Sequence, residues 1–301
     1  MDDAFKKQLV AATFPDILGQ ERAKLELKSA LFMDRHVILV GPPGVGKTTL
    51  AKSVAELLPK DKKKQEKFVR VQGSPDLTAE DLLGDIDPIK ALEYGPLSKE
   101  AFTPGKIFRA DGGVLFFDEV NRCSEKLQNA LLQVLEERKV TIGSYNVDFT
   151  TDFIFIGTMN PEDTSTEPLS DVFLDRFDFI YFSYPETQDL EEKIVVLKGK
   201  KILEFPERLL TSFVQFIRDV RNDKNVERKP SVRASIGVYE RAQALAHLHK
   251  RTSVTEEDVK EVLISVLAHR IHLKPSVKYL ETPEKYLSNK FEEFKKRSGY
   301  L

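Results

Sequence analysis

The sequence predicts an α/β protein with a mainly parallel sheet, followed by a smaller all-helical domain. Three observations predict it. Five short β-branched and aromatic runs alternate with helical patterns up to about residue 185. Two of those runs, "VILV" and "VLFF", are apolar without alternation, as central strands covered on both faces require. Beyond Tyr184-Pro185 the strand signals stop and amphipathic helical periodicity takes over.

Taken in order, "HVILVG" is the first strand, bounded by Gly41, and a helical pattern starts at Lys47. Lys60 to Lys67, "KDKKKQEK", reads as a solvated lysine-rich loop leading to the strand "KFVRVQG". "GGVLFFDE" is the next strand. "SEKLQNALLQVLEERK" then places Leu127, Leu131 and Leu135 at helical spacing, with Ser124 as N-cap. "DFIFIGTMN" and "FDFIYFSYP" complete the strands. "SVRASIGVYERAQALAHLHK" and "TEEDVKEVLISVLAHRI" are amphipathic helices, the second opening on a capping box from Thr255 to Asp258. The expected organisation is an α/β domain over 1–185, a helical domain over 186–275, and a charged tail over 276–301 that is a short helix or a partly ordered end.

Of 301 residues, 41% are apolar and 31% charged, enough to form a core and stay in solution. The net charge of −2 counts against a protein built mainly to neutralise a nucleic-acid backbone. No apolar run reaches the roughly 18 residues that a membrane span needs. The first residues show no secretory signal, and Cys123 is the only cysteine, so a reducing, cytoplasmic setting is expected.

The loop after the first strand carries the chemistry. Gly41 to Thr48 match G-x-x-x-x-G-K-[ST], in the order Gly41, Pro42, Pro43, Gly44, Val45, Gly46, Lys47, Thr48, with Thr49 following. Small residues let successive N–H groups turn inward into a nest for anionic oxygens, and the helix that follows adds its orphan N–H groups and dipole. Lys47 reaches the β- and γ-phosphates in such a loop, and the Thr48 hydroxyl ligates Mg²⁺. Asp118 and Glu119 end an apolar strand, at the carboxyl edge where open parallel sheets bind ligands. Asp118 is positioned to hold magnesium through water, and Glu119 to orient and polarise the attacking water.

With these motifs in place, the sequence resembles the AAA+ ATPases, in the branch holding the MoxR ATPases and the ATPase subunit of magnesium chelatase. The resemblance covers about residues 14 to 273. "FPDILGQERAK" is similar to the segment before the first core strand, which implies that Ile17 and Leu18 pack near adenine. "LLGDIDPIKALEYG" with "FTPGKIFRADGGVLFFDEVNR" resembles the insertion this branch carries in its second helix. "VLEERKVTIGSYNVDFTTDFIFIGTMNP" resembles the hairpin before sensor 1, which places Asn160 at that position. "LSDVFLDRFDF" implies that Arg176 is an arginine finger acting on a neighbouring subunit, and "KPSVRAS" that Arg233 is sensor 2. Read without the resemblance, Arg176 is first of all a surface ion-pair residue, Asn160 a turn residue before Pro161, and Arg233 an ordinary residue at a helix start. Asn121 and Arg122 also match the branch, without separating a nucleotide role from an interface one.

The resemblance implies ATP and Mg²⁺ as ligands and a homo-oligomeric ring, usually of six subunits. Two uses of the energy follow from it. One is remodelling of a protein partner, often one with a von Willebrand factor A domain. The other is driving the larger subunit of a metal chelatase. A DNA-acting motor is a third reading, disfavoured by the charge balance and by the lack of an appended DNA-binding segment. The histidines, His36, His247, His249, His269 and His272, form no ligand set at metal-binding spacing, and Cys123 reads as structural.

Overall fold

The computed structural model describes residues 3–59, 68–95, 98–142, 145–161 and 169–298. The lysine-rich loop 60–67 lies outside the described residues, as do 162–168. By contacts the chain falls into two units. The first holds 1–41 and 46–182, and the second holds 42–45 and 183–301.

The first unit begins with helices α1 (Asp3–Ala11) and α2 (Glu21–Phe32). Its sheet contains β1 (Val37–Val40), β2 (Phe68–Gln72), β3 (Val114–Asp118), β4 (Ile154–Met159) and β5 (Asp178–Tyr181), in the order β2-β3-β4-β1-β5. All neighbours run parallel, so the five runs read from the sequence are the five strands of one α/β sheet. Val37, Ile38 and Leu39 of β1 and Val114 to Phe117 of β3 are fully buried, which is why these runs show no alternation. One core holds Ile38, Val71, Leu115, Phe117, Leu127, Leu131, Phe155 and Phe173.

Two helices matter for the site. Helix α3 (Lys47–Glu56) follows β1 and buries Leu50, Ala51, Val54 and Ala55. Helix α4 (Glu125–Glu137) follows β3 and buries Leu127 and Leu131; Ser124 stands at its N-cap, but the side chain makes no capping bond. Among the described residues, two antiparallel hairpins decorate the unit. Gly84–Ile86 pairs with Phe102–Pro104 around the helix Pro88–Tyr94, in the stretch read as an insertion, and Lys139–Ile142 pairs with Tyr145–Thr150 before β4.

The second unit is helical: α5 (Gln188–Lys198), α6 (Glu207–Asn222), α7 (Val232–Leu248), α8 (Glu256–Leu267) and α9 (Pro283–Ser298). At the start of α8 the Asp258 carboxylate returns to the Thr255 N–H at 2.9 Å, the reciprocal half of a capping box. A short antiparallel ribbon, Val226–Arg228 with His272–Leu273, accompanies the helices; runs this short leave no periodicity to read. The stretch from 276 carries α9, whose Tyr286, Leu287, Phe291 and Phe294 join the core of this unit beside Phe216 and Leu263. Phe216 meets the Phe291 and Phe294 rings edge-on at 5.3 and 5.5 Å.

Candidate functional site

The loop after β1 starts where two strands end together. Val40 pairs with Met159 on β4, the Gly41 N–H donates to the Met159 carbonyl at 3.1 Å, and Asn160 follows. Asn160 is thereby set beside the first loop residue, half-buried. On the other side the Phe182 N–H donates to the Val40 carbonyl at 2.7 Å, bringing the chain after β5 against Gly41. A Cβ on Gly41 would stand 2.9 Å from the Phe182 Cβ, so only glycine fits.

Gly44 and Gly46 take φ of +76° and +99°, values that L side chains rarely adopt. Gly46 caps α3 in the left-handed conformation and offers no side chain to the first N–H groups of the helix. Those donors, with Thr48 and Thr49 in the first turn, present an anion cradle of the kind the motif implies. The Lys47 ammonium folds back onto the Gly41 carbonyl, closing the loop on itself. Ile17, which is buried, stands 3.7 Å from where a Gly46 Cβ would lie, so the segment read as an adenine neighbour does reach the loop; Leu18 beside it is half-buried. Pro42–Val45 group with the second unit, where the Arg233 Cγ comes within 3.0 Å of a Cβ placed on Gly44.

The acidic pair sits at the carboxyl end of β3. Thr158 on β4, buried, is its anchor. Its hydroxyl donates to Asp118 Oδ1 at 2.6 Å and accepts the Glu119 N–H at 3.0 Å. Glu119 takes a left-handed backbone conformation, φ 56°, which turns its side chain out of the strand. Asp118 Oδ2 meets the Arg70 guanidinium at 2.6 Å. Glu119 Oε2 accepts from Gln72 Nε2 at 2.8 Å and faces Arg122 at 3.3 Å. Arg70 and Gln72 stand two apart on β2 and so share one face of that strand, from which they grip both carboxylates.

Gly73 closes this corner. Its N–H donates to the Asp118 carbonyl at 2.7 Å, and a Cβ there would overlap the Glu119 carbonyl oxygen and lie 2.8 Å from its carbon. Cys123, next to the acidic segment, is buried, and burial pushes its thiol up to about 11, so it stays protonated. Arg176 is exposed and held elsewhere, its guanidinium paired with Glu136 on α4.

The donor set fits a magnesium nucleotide. Glycine conformations expose main-chain donors for phosphate, and Thr48 and Asp118 are hard oxygen ligands of the type magnesium takes. Thr158, Arg70, Gln72 and Gly73 did not emerge from the sequence. Thr158 and Gly73 gave a faint signal, a polar residue in an apolar run and a glycine at a strand end.

Comparison with known proteins identifies the family. Residues 36–177 match the AAA domain (dynein-related subfamily), and 219–286 match the AAA lid domain. Among curated relatives, an uncharacterised protein of Bacillus subtilis, YeaC, is 30% identical over 87% of this chain and 85% of its own length. Chaperone MoxR1 of Mycobacterium tuberculosis is 30% identical over 85% of this chain and 73% of its own. A magnesium-chelatase subunit ChlI homolog of Methanocaldococcus jannaschii is 27% identical over 95% and 92%. The solved RuvB Holliday junction branch migration motor of Thermotoga maritima shares the fold, with TM-score 0.51 and 21% identity over 83% of this chain and 70% of that one. The chain belongs to the AAA+ ATPases, in the branch of MoxR and the magnesium-chelatase ATPase subunit. It is therefore a nucleotide-binding ATP hydrolase of the MoxR-type motor class.

Proposed function

We propose that this chain binds ATP with Mg²⁺ at the loop Gly41–Thr48 and hydrolyses it within a homo-oligomeric ring, most simply a hexamer, to remodel a protein partner. The observation that carries the proposal is the Thr158-anchored pair Asp118–Glu119 at the sheet edge where β1 and β4 deliver the loop and Asn160. Lys47 and the main-chain N–H groups hold the phosphates, and Thr48 with Asp118 holds the metal, which neutralises phosphate charge when bound. Glu119 orients water once nucleotide draws it from Gln72. Asn160 is an amide able to donate to the γ-phosphate and accept from water. Ile17 and Leu18 line the base.

Arg176, exposed on the surface, acts on the next subunit's nucleotide, and Arg233 on its own. Head-to-tail contacts that close into a ring bring these groups together. Among the described residues no helix is long and apolar enough to cross a membrane, and we place the ring in the cytoplasm. Similarity to Chaperone MoxR1 supports a protein client, for which a von Willebrand factor A domain protein is a candidate. A chelatase motor is the second reading, favoured by the near-complete overlap with the ChlI homolog.

The test is Glu119→Gln. The variant is expected to bind ATP as the wild type does, to turn over at least about a hundredfold more slowly, and to accumulate as a nucleotide-loaded ring in light scattering. Turnover near the wild-type rate removes Glu119 from its role.

A further inference from the structure

Outside the phosphate site, a connected polar cluster in the second unit surrounds Glu191. This side chain on α5 is fully buried. Arg221 of α6, also buried, meets it fork to fork, with Nη1 2.7 Å from Oε2 and Nη2 2.8 Å from Oε1. Arg218 donates to Oε2 at 3.2 Å, and the buried Ser235 hydroxyl donates to Oε1 at 2.7 Å. Burial alone would raise the carboxyl pKa, but the Arg221 and Arg218 guanidiniums and the Ser235 hydroxyl outweigh it and hold Glu191 below its usual range.

The arginines reach beyond the carboxylate. Arg221 Nε donates to the Pro230 carbonyl at 2.9 Å, and its guanidinium lies 4.6 Å over the Tyr184 ring. Arg218 donates to the carbonyls of Pro185 at 2.9 Å, Glu186 at 3.0 Å and Thr187 at 3.2 Å. One cluster thus ties the segment 184–187, where the chain enters this unit, to the start of α7. Pro230 and Ser235 bracket Arg233 in sequence, so the stretch bearing that arginine is pinned on both sides. Arg233 itself runs beside Gly44.

We propose that Glu191, Arg221 and Ser235 are positioning residues that set where Arg233 stands against the loop Pro42–Val45. The proposal rests on the reading of Arg233 as a nucleotide contact. A cluster that only holds the helices together affects stability alone. A cluster that aims Arg233 also affects nucleotide affinity, and only while Arg233 is present.

A double-mutant cycle in the full chain separates the two. Ser235→Ala is the mildest change, because it removes one donor and leaves the Glu191–Arg221 pair intact. The readouts are calorimetric affinity for a non-hydrolysable ATP analogue with Mg²⁺ and the thermal midpoint. Arg233→Ala is expected to weaken binding about tenfold, and Ser235→Ala about fivefold alone but less than about twofold in the Arg233→Ala background. The fall in midpoint from Ser235→Ala stays the same in both backgrounds. A fivefold loss in both backgrounds, or no loss in either, overturns the proposal while leaving the Arg233 reading intact. An Arg233→Ala variant with wild-type affinity overturns that reading, and the proposal with it.

Discussion

Replacing Gly73 by alanine places one methyl group against the backbone of the acidic segment, 2.8 Å from the Glu119 carbonyl carbon and 3.0 Å from the Asp118 carbonyl oxygen. Carbon contacts are comfortable at about 3.5–4.0 Å, so the ends of β2 and β3 must part by about 1 Å. Neither side can yield by turning a side chain, because both partners are main chain. The Gly73 N–H bond to Asp118, 2.7 Å in the native protein, is stretched by the same movement. Overpacking of this kind costs about 1–3 kcal/mol of stability, which a domain of this size survives. The catalytic cost is larger in proportion, since a 1 Å misplacement of a reacting group costs about a hundredfold in rate. Gly73→Ala should therefore bind ATP within about threefold of wild type and hydrolyse it about a hundredfold more slowly. Binding is followed by calorimetry, turnover by phosphate release, and folding by circular dichroism. A folded variant with turnover within about threefold of wild type refutes the reasoning.

Two further outcomes follow. His36, beside Phe153 and Phe155 at the start of β1, accepts the Phe155 N–H on Nδ1, and burial together with Arg138 lowers its pKa to about 4. The native state refuses a proton that the unfolded chain takes below about pH 6.5, so this contribution is complete above that pH and is lost as pH falls toward 4. Between pH 7 and pH 5 the wild type should lose about 2 kcal/mol more than His36→Asn in urea unfolding, and equal losses contradict the assignment. Arg176→Ala should bind nucleotide and fail to hydrolyse it. Mixed in equal parts with inactive Lys47→Ala, it should recover about a quarter of the wild-type rate, because a random ring pairs an intact loop with an intact Arg176 at that fraction of interfaces. No recovery argues against action between subunits.

Much of the fold was legible because its signals are local. The five strands are short apolar runs with clear stops, and Gly41–Thr48 and Asp118–Glu119 are each contiguous in the chain. The residues that stayed hidden act across the sheet. Thr158 meets Asp118 only because β4 lies beside β3, and Arg70 and Gln72 reach the acidic pair only because β2 lies on the other side. Strand order and register set those meetings, and one sequence does not print them. Gly73 looked like any strand-end glycine until the opposing carbonyls were in place. Ser124 shows the converse: the residue type suits an N-cap, yet its hydroxyl makes no capping bond. The α9 helix was obscured by charge, since Lys and Glu dominate a stretch whose Tyr286, Leu287, Phe291 and Phe294 are buried.

The central claim is that Gly41–Thr48 grips the phosphates of a magnesium nucleotide chiefly through main-chain N–H groups, with Lys47 as the loop's own side-chain cation. Titration calorimetry of the wild type and Lys47→Ala with ATP and Mg²⁺ tests it most directly. The account predicts saturable binding near one nucleotide per chain for the wild type and its loss in the variant. No heat from folded wild-type protein, or equal affinity in Lys47→Ala, contradicts it.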